Sequence, residues 1–268
     1  MTFTPLRVHS HGSLLYGVAP PEALVERALE LGLESLALTD RDNLYLAVRF
    51  YQAALAEGLK PLLGCVLAAR DHEALLIAID RRGFAHLCEL ITRRMLDPRF
   101  DLVDGLAPVA GRTPAAGLHV VVESPGLAAS LLGAGVPAAR GVREEANGAH
   151  GGDGGLWLGV RGLRRERSVL AGRHAAAREL GLPLVATGDV TLMTPADLDA
   201  HRAAVTAAAG ELLDRMPAHA FAAPDAAFVA PTAWDARVRA VCAGAALPHA
   251  ANEALANNRV LAARSRGT

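Results

Sequence analysis

An alternation of short apolar runs and helical patterns over residues 6–67 constrains the fold of this chain most strongly. Strand-like runs at 35–40 and 60–67 each follow a segment with helical periodicity, and those helical segments begin near Pro20 and Asn43. Parallel strands that are joined by right-handed helical crossovers produce this order of elements. The sequence therefore predicts an α/β fold.

The rest of the chain continues this pattern with less regular spacing. Apolar runs at 74–79, 118–122 and 182–187 are the next predicted strands. The stretch 97–114 has no clear period and is predicted to be a loop. A glycine-rich stretch at 147–155 lacks the spacing of a dinucleotide-binding turn, so we interpret it as a surface loop.

Two histidines, His9 and His11, stand two residues apart at the end of the first predicted strand. Residues i and i+2 of a strand project to the same face, so we expect both imidazoles to point toward one end of the sheet. Neutral imidazoles are good ligands for Zn, Mn or Fe. A catalytic zinc needs three protein ligands, however, so the pair alone does not define a site. The alternative interpretation is two polar side chains at a strand end.

Composition excludes several classes of protein. The formal net charge is −1, so the chain has no overall basic excess, and we expect direct nucleic-acid binding to be weak or absent. The three cysteines, Cys65, Cys88 and Cys242, are too few and too widely spaced for a disulfide framework or a cysteine zinc cluster. Without a leader pattern or a long apolar run, the sequence predicts a cytoplasmic protein that does not enter the membrane.

The strongest basic cluster consists of Arg161, Arg164, Arg165 and Arg167, with Glu166 among them. Charges of both signs on one predicted helix are typical of a solvated face. We therefore expect these arginines to lie in solvent. Contact with a partner or with nucleic acid is the alternative.

Five segments in the same order resemble one known family, the PHP (polymerase and histidinol phosphatase) domain. The similar form is the one that opens bacterial DNA polymerase III alpha subunits, especially those of the error-prone branch. The segments that carry the resemblance are HSHGSLLYG at 9–17, PEALVERA at 21–28, LALTDRDNLY at 36–45, GLKPLLGC at 58–65 and LPLVATGDV at 182–190.

The resemblance implies a particular architecture. PHP domains are distorted seven-stranded β/α barrels, similar to TIM barrels. We therefore expect a barrel domain over residues 1–210 and a helical C-terminal extension over residues 211–268. Active sites of such barrels lie at the carboxyl ends of the strands, where His9, Asp40 and Asp189 are expected.

The resemblance also implies a metal site, because active PHP domains hold up to three ions that hydrolyse phosphate esters. Ligands of the family type remain at His9, His11 and Asp189. Glu123, near the end of a predicted strand, can supply a further oxygen. Four other positions depart from the family pattern. Tyr16 replaces an aspartate, Arg41 a histidine, Val66 an acidic residue and Thr191 a histidine.

Arg41 changes the expected chemistry most. A guanidinium stays protonated, so it repels divalent ions and pairs with carboxylates. We expect Arg41 to pair with carboxylates such as Asp40 or Asp189 and to form a salt bridge across the former metal cavity, with Tyr16 and Val66 filling the remainder.

Two functional hypotheses follow. The first is a catalytically degenerate PHP domain without a cofactor, acting as a scaffold or partner of DNA polymerase or repair proteins. The second is a metal-dependent phosphoesterase or 3′–5′ exonuclease, with a reduced site of His9, His11 and Asp189 that holds Zn, Mn or Mg. We do not expect polymerase activity, because the family's catalytic palm follows the PHP domain and this sequence ends at Thr268. A polymerase fragment with no independent role and an unrelated binding function at the barrel mouth remain as further alternatives.

Overall fold

A single mixed sheet lies at the centre of the molecule. The computed structural model describes residues 2–142 and 154–265. Within these ranges the sheet has six strands, and their spatial order follows the chain order. The strands are β1 (Ser35–Leu38), β2 (Lys60–Ala69), β3 (His72–Ala78), β4 (Leu118–Val122), β5 (Gly154–Val160) and β6 (Leu184–Ala186). The predicted α/β class is confirmed.

Helices connect most of these strands and continue after β6. The α-helices in the described ranges are α1 (Pro21–Glu30), α2 (Ala47–Ala56), α3 (Arg81–Leu96), α4 (Leu102–Leu106), α5 (Pro125–Gly133), α6 (Arg167–Glu179), α7 (Leu198–Ala209), α8 (Pro231–Gly244) and α9 (Pro248–Arg264). None of these helices has the length and apolar character needed to cross a membrane.

The direction of β3 distinguishes this sheet from a fully parallel one. Strands β1 and β2 are parallel, as are β4, β5 and β6, but β3 is antiparallel to both of its neighbours. A tight turn joins β2 to β3, with Arg70 at a positive φ of 52° and Ala69 paired with His72. The start of β3 therefore lies at the edge where the parallel strands end.

The N-terminal segment 5–9 bridges the two outer strands of the sheet. On one side the Thr39 amide donates to the Val8 carbonyl oxygen at 2.9 Å, just beyond β1. On the other side the His9 amide donates to the Val190 carbonyl oxygen at 2.9 Å, beyond β6. The segment forms an isolated bridge but no regular strand. The closed seven-stranded barrel therefore stays a prediction.

The alternation of side chains along the strands divides the core in two, because successive residues of a strand point to opposite faces. The larger cluster packs between the outer face of the sheet and the helices. The smaller one, called here the inner-face cluster, consists of Leu6, Ala37, Leu62, Val66, Leu75, Ile77, Val121, Ala139, Trp157, Val185, Leu261 and Ala262.

Helix α9 completes the inner-face cluster and is fixed to the sheet by side-chain hydrogen bonds. The Asn258 side chain accepts from the Thr4 amide at 3.0 Å and donates to the Ala186 carbonyl oxygen at 2.8 Å. Lys60, at the start of β2, donates to the Ala262 carbonyl oxygen at 2.7 Å. The helix thus packs at the end of the sheet where β2 begins, and the domain boundary predicted at residue 210 stays a prediction.

The predicted loop at 97–114 is wrong in one respect, since it contains the short helix α4. Asp101 starts this helix by accepting a hydrogen bond from the Val103 amide at 2.8 Å, as an aspartate at an N-cap does. Of the glycine-rich stretch predicted as a surface loop at 147–155, residues 147–153 lie outside the described residues and the last two begin β5.

Candidate functional site

Six charged side chains gather at the sheet edge where the parallel strands end. Four of them follow strand ends, one comes from the N-terminal segment, and one comes from the start of the antiparallel strand β3. We call this group the edge cluster: Arg7, Arg41, Glu73, Glu123, Arg161 and Asp189.

Arg161 is the centre of the edge cluster. Its Nη1 lies 3.1 Å from Asp189 Oδ2, its Nη2 lies 2.6 Å from Glu73 Oε1, and its Nε lies 2.5 Å from Glu123 Oε1. Its side chain is only 13% exposed. Charge-assisted hydrogen bonds of this kind are stronger than neutral ones, and the planar guanidinium suits several carboxylates at once. One cation therefore fixes three acids in place.

Three further arginines neutralise the same acids. Arg7, which is almost fully buried, pairs with Glu73, and its Nη1 lies 3.8 Å from Glu123 Oε1. Arg41 Nη1 lies 3.4 Å from Glu73 Oε2. Arg173, on α6, approaches Glu123 Oε2 at 3.7 Å. The cluster is thus a connected network rather than a set of separate pairs.

The network determines the charge state of Glu73. Burial alone would raise the pKa of this carboxyl group, but the charges of Arg7, Arg161 and Arg41 outweigh burial and lower the pKa to about 2. The surrounding carboxylates likewise raise the pKa of Arg161. Glu73 is therefore ionised at neutral pH.

The structure gives His9 and His11 different environments. His9 is buried, its Nδ1 lies 3.2 Å from Ser13 Oγ, and its Nε2 has no hydrogen-bond partner among the described residues. Burial, followed by the charge of Arg7, lowers the pKa of His9, so the imidazole is neutral. His11 is exposed, because the extended segment ends before it and a turn follows. The expectation that both imidazoles point toward one end of the sheet stays a prediction.

Asp40 acts as the hydrogen-bond acceptor of the turn after His9. Its carboxylate accepts from the Ser10 amide and hydroxyl at 2.7 and 2.6 Å, and from the Ser13 amide and hydroxyl at 3.2 and 2.7 Å. Burial raises the pKa of Asp40, while these donors act to lower it. The carboxylate is fully used in holding the turn.

Arg41 pairs with a carboxylate, but with neither of the two named as examples. Arg41 pairs with Glu73 and lies over the Tyr16 ring, 5.2 Å from its centroid. Asp189 instead forms an ion pair with Arg161, the residue that directly follows the neighbouring strand β5. The four serine donors satisfy the other expected partner, Asp40.

The remaining candidate positions lie around the same edge. Val66 is fully buried in the inner-face cluster, and its backbone pairs with that of Arg41. The Thr191 hydroxyl donates to Asp189 Oδ1 at 3.0 Å, so both oxygens of Asp189 have partners. Within residues 2–142 and 154–265, no group of three or more His, Cys, Asp or Glu side chains is placed to hold a metal ion.

A cleft of about 780 Å³ opens above the edge cluster. Its polar wall includes all three arginines of the edge cluster and Glu73. Its rim carries large apolar side chains with high exposure: Leu14 at 71%, Leu15 at 54%, Tyr45 at 65% and Met95 at 61%. A cleft of this volume is large enough for a small molecule or a short chain segment.

His201, on α7, joins the two sides of this cleft. The Ala222 amide donates to His201 Nε2 at 2.8 Å, so Nδ1 carries the proton that is donated to the Tyr16 carbonyl oxygen at 2.7 Å. Burial lowers the pKa of His201, in keeping with a neutral ring. Tyr16 is packed edge-on against both His9 and His201.

Sequence reasoning missed much of this network. The prediction that Arg161 is solvated is wrong. Arg161 directly follows β5 as Glu123 directly follows β4, and this shared position after a strand is a signal that places both at the same edge of the sheet. Arg7 precedes His9 by two residues, which is the spacing of a shared strand face. The location of Glu73 at this edge cannot be predicted from the sequence, because the apolar run alone does not give the direction of β3.

Comparison with known proteins shows which proteins this chain is similar to. Residues 5–109 match the PHP domain family. The chain is 31% identical over 206 residues to the DNA polymerase III subunit alpha of Xylella fastidiosa strain 9a5c, which covers 71% of this chain. It is 32% identical over 195 residues to the error-prone DNA polymerase of Anaeromyxobacter sp. strain K, which covers 70% of this chain. The match spans only 17% of the length of each relative.

A solved structure of an amidohydrolase from Chromobacterium violaceum, with bound sulfate and no metal, covers 70% of this chain and 87% of its own. Its sequence identity is 17% and its TM-score is 0.43. Over residues 5–109, this chain is similar to the PHP domain family.

Proposed function

We propose that this chain is a non-catalytic PHP domain that serves as a scaffold or partner of DNA polymerase or repair proteins. The binding of Arg161 to Asp189, Glu73 and Glu123 carries the proposal. In this arrangement, fixed guanidinium charges take the place that inorganic cations have in active relatives. The edge cluster then stabilises the fold and does no chemistry.

The donor set of the edge cluster does not fit a divalent metal ion. A metal bound there would have to displace Arg161 from Asp189, leaving a nearly buried guanidinium without its partners. Breaking such a pair costs about 3–5 kcal/mol. Arg7 and Arg41 add further positive charge beside the same acids, which repels a cation. The family's metal chemistry therefore has no place in the proposed function.

The N-terminal segment 5–9 supports the scaffold role, since we infer that it is the seventh strand of a closed barrel. Its hydrogen bonds to Thr39 and Val190 continue the sheet on both sides. Closure removes the open strand edges through which sheets otherwise aggregate. The residues after 210 would then be an extension whose last helix, α9, closes the opposite end.

The names of the relatives and the rim of the cleft support a protein partner. Both curated relatives described above are DNA polymerases. Leu14, Leu15, Tyr45 and Met95 expose more than half of their surface at the rim. Clustered apolar exposure of this kind marks protein contact surfaces. The proposed occupant of the rim is a DNA polymerase subunit or repair protein.

A second candidate function is a metal-dependent phosphoesterase or 3′–5′ exonuclease with a reduced site at His9, His11 and Asp189, holding Zn, Mn or Mg. One observation favours it, because His9 Nε2 is buried without a hydrogen-bond partner among the described residues. The exposure of His11 and the pairing of Asp189 with Arg161 favour the non-catalytic role.

An activity assay separates the two candidates. The full chain is tested with p-nitrophenyl phosphate and with 3′-labelled single-stranded DNA in the presence of Mn²⁺, Zn²⁺ or Mg²⁺. We expect no metal-stimulated hydrolysis, and the same background rate for the wild type and His9→Ala. Metal-stimulated hydrolysis that disappears in His9→Ala would establish the second candidate instead.

The partner role is tested by size-exclusion chromatography with the DNA polymerase III alpha subunit of the same organism. We expect a complex with the wild type that is lost in Leu14→Asp. Val169→Asp is the matched control, because Val169 on α6 is also about half exposed but lies outside the cleft. A complex that is insensitive to Leu14→Asp, or no complex at all, contradicts a polymerase partner at the rim.

A further inference from the structure

A second cleft, of about 400 Å³, lies between the turn before α6 and helix α8. Three arginines, Arg164, Arg167 and Arg237, and one acid, Asp225, line it. We propose that this arginine cleft binds phosphate groups of a nucleic-acid backbone. The proposal does not depend on the function of the edge cluster.

The arginine cleft differs from the edge cluster in its charge balance. Every arginine of the edge cluster has a carboxylate partner, whereas Arg164 and Arg167 have no ion pair with a carboxylate among the described residues. Both of these side chains are exposed. Asp225 Oδ2 accepts the backbone amide of Arg164 at 2.9 Å, and its single negative charge offsets only one of the three arginines. The cleft therefore keeps an excess of positive charge.

Arg237 is held in position by the protein itself. Its Nη1 donates to the carbonyl oxygens of Asp225 and Ala227 at 2.7 and 3.3 Å. Its guanidinium lies 4.8 Å from the ring centroid of Trp234, which is fully buried. Side chains fixed in this way bind a ligand with little further loss of conformational entropy.

The pKa of Arg237 supports the geometric argument. Burial lowers this pKa first, Asp225 raises it, and the charge of Arg164 lowers it again. Arg164 and Arg237 also line the same cleft, where like charges repel each other. An anion between the two guanidiniums is attracted by both charges and offsets their mutual repulsion. This attraction acts as long as the distance from the anion to each guanidinium is shorter than the screening length of the solution.

Phosphate is the anion whose chemistry fits best. Guanidinium groups bind phosphate oxygens through paired N–H donors, and their charge is permanent. Arg164 and Arg167 are three residues apart on one helical turn, so their side chains are neighbours on the same face. A phosphate can therefore be approached from the turn and from α8 together.

The neighbouring residue Arg165 favours a polymer over an isolated phosphate. Arg165 lines the larger cleft, while Arg164 and Arg167 line the arginine cleft. The same turn thus presents cations on two successive sides. A backbone that repeats its charge along its length can contact both, and each neutralised phosphate adds to the affinity through release of counterions.

Binding of a fluorescent single-stranded DNA oligonucleotide, measured by anisotropy over a range of NaCl concentrations, tests this proposal. The full chain is compared with the variant R164E/R167E. We expect the variant to bind at least about tenfold more weakly and the slope of log affinity against log salt to fall by about one or two.

The matched control is R81E/R82E, which makes the same charge change at the start of α3. Both arginines are exposed, and they follow the end of β3, at the sheet edge opposite Arg164. We expect this control to keep most of the affinity. Circular dichroism and thermal unfolding check that both variants fold as the wild type does.

Three results would overturn the proposal. The first is no saturable binding of DNA by the wild type at low salt. The second is an equal loss of affinity in R164E/R167E and R81E/R82E, since binding would then reflect overall charge. The third is binding of inorganic phosphate that depends on Arg164 without any binding of DNA, because the site would then recognise free phosphate and not a nucleic-acid backbone.

Discussion

Arg161 Nη1 donates to Asp189 Oδ2 across 3.1 Å, and the two residues lie just beyond the ends of the neighbouring parallel strands β5 and β6. Asp189 is only 3% exposed, so this ion pair lies almost entirely out of water. Ionised groups taken out of water are tolerated when they are paired and fully hydrogen-bonded. We therefore expect this pair to stabilise the fold.

Replacing Arg161 with methionine should strongly destabilise the protein. The variant keeps the side-chain volume but leaves Asp189, Glu73 and Glu123 without their shared cation, and we expect a loss of about 3–5 kcal/mol in the free energy of unfolding. Urea unfolding followed by circular dichroism measures this loss. Arg165→Met is the control, because Arg165 is exposed and should change stability by less than about 0.5 kcal/mol. A loss below about 1 kcal/mol in Arg161→Met would show that the network contributes little.

Two substitutions of Asp40 should differ from each other. Asp40→Ala leaves the buried Ser10 amide without an acceptor, which costs about 1–3 kcal/mol, whereas the Ser13 amide keeps the Ser10 carbonyl oxygen at 2.9 Å. Asp40→Asn keeps an oxygen for both amides, and its NH₂ group can donate to the Ser10 hydroxyl. We therefore expect Asp40→Asn to retain most of the stability in urea unfolding. Equal losses in the two variants would contradict the role of this oxygen as the acceptor of the turn.

Stability should fall as the pH decreases from 6.5, because His119 is buried in its neutral form. Burial lowers the pKa of His119 to about 3, so the unfolded chain takes up a proton below pH 6.5 that the folded chain does not. Each such proton lowers the free energy of unfolding by about 1.4 kcal/mol per pH unit. Glu73, with its pKa lowered to about 2, adds a further loss only below pH 4.5.

The variant His119→Gln tests this pH dependence. Glutamine does not titrate, and its amide oxygen can replace His119 Nδ1 as the acceptor for Trp157 Nε1, now at 3.3 Å. We expect urea unfolding between pH 6.5 and 4.5 to show a slope that is smaller by about one proton than in the wild type. His9 and His201 keep contributing to the slope, since burial lowers their pKa as well. An unchanged slope in the variant would mean that His119 is protonated in the folded state.

His201→Ala should release the loop that carries Tyr16. The substitution removes the hydrogen bonds that His201 makes to Tyr16 and to Ala222, which lie on two separate segments. Hydrogen–deuterium exchange should therefore become faster in residues 13–17 and 220–223, with little change in β4 or β5. Faster exchange throughout the sheet, or no change in these two segments, would contradict a local link.

The sequence predicts the individual strands and helices of this fold better than the direction and pairing of the strands. Apolar period and flanking prolines and glycines identify β2, β4 and α1, because those signals are local. The direction of β3 depends on the tight turn at residues 70–71 and on pairing with β4, which no local pattern encodes. For that reason Glu73 was not predicted to lie beside Asp189.

The same reasoning explains the errors about the candidate site. The position of Arg41 after a predicted strand indicates the sheet edge, but the sequence does not say which of several acids a long flexible side chain reaches. The charges around Arg161 favour a solvent-exposed side chain, whereas its position directly after β5 determines its burial. Burial of a charged residue depends on the strand end that presents it, and so on tertiary structure.

Elemental analysis of protein purified without chelator, and again after incubation with Mn²⁺ and Zn²⁺, tests the central proposal most directly. If guanidinium charges replace metal ions at the edge cluster, the wild type and His9→Ala should both carry no stoichiometric ion under either condition. A stoichiometric ion in the wild type that is lost in His9→Ala and in Asp189→Asn would contradict the proposal, and would place a metal where Arg161 is bound.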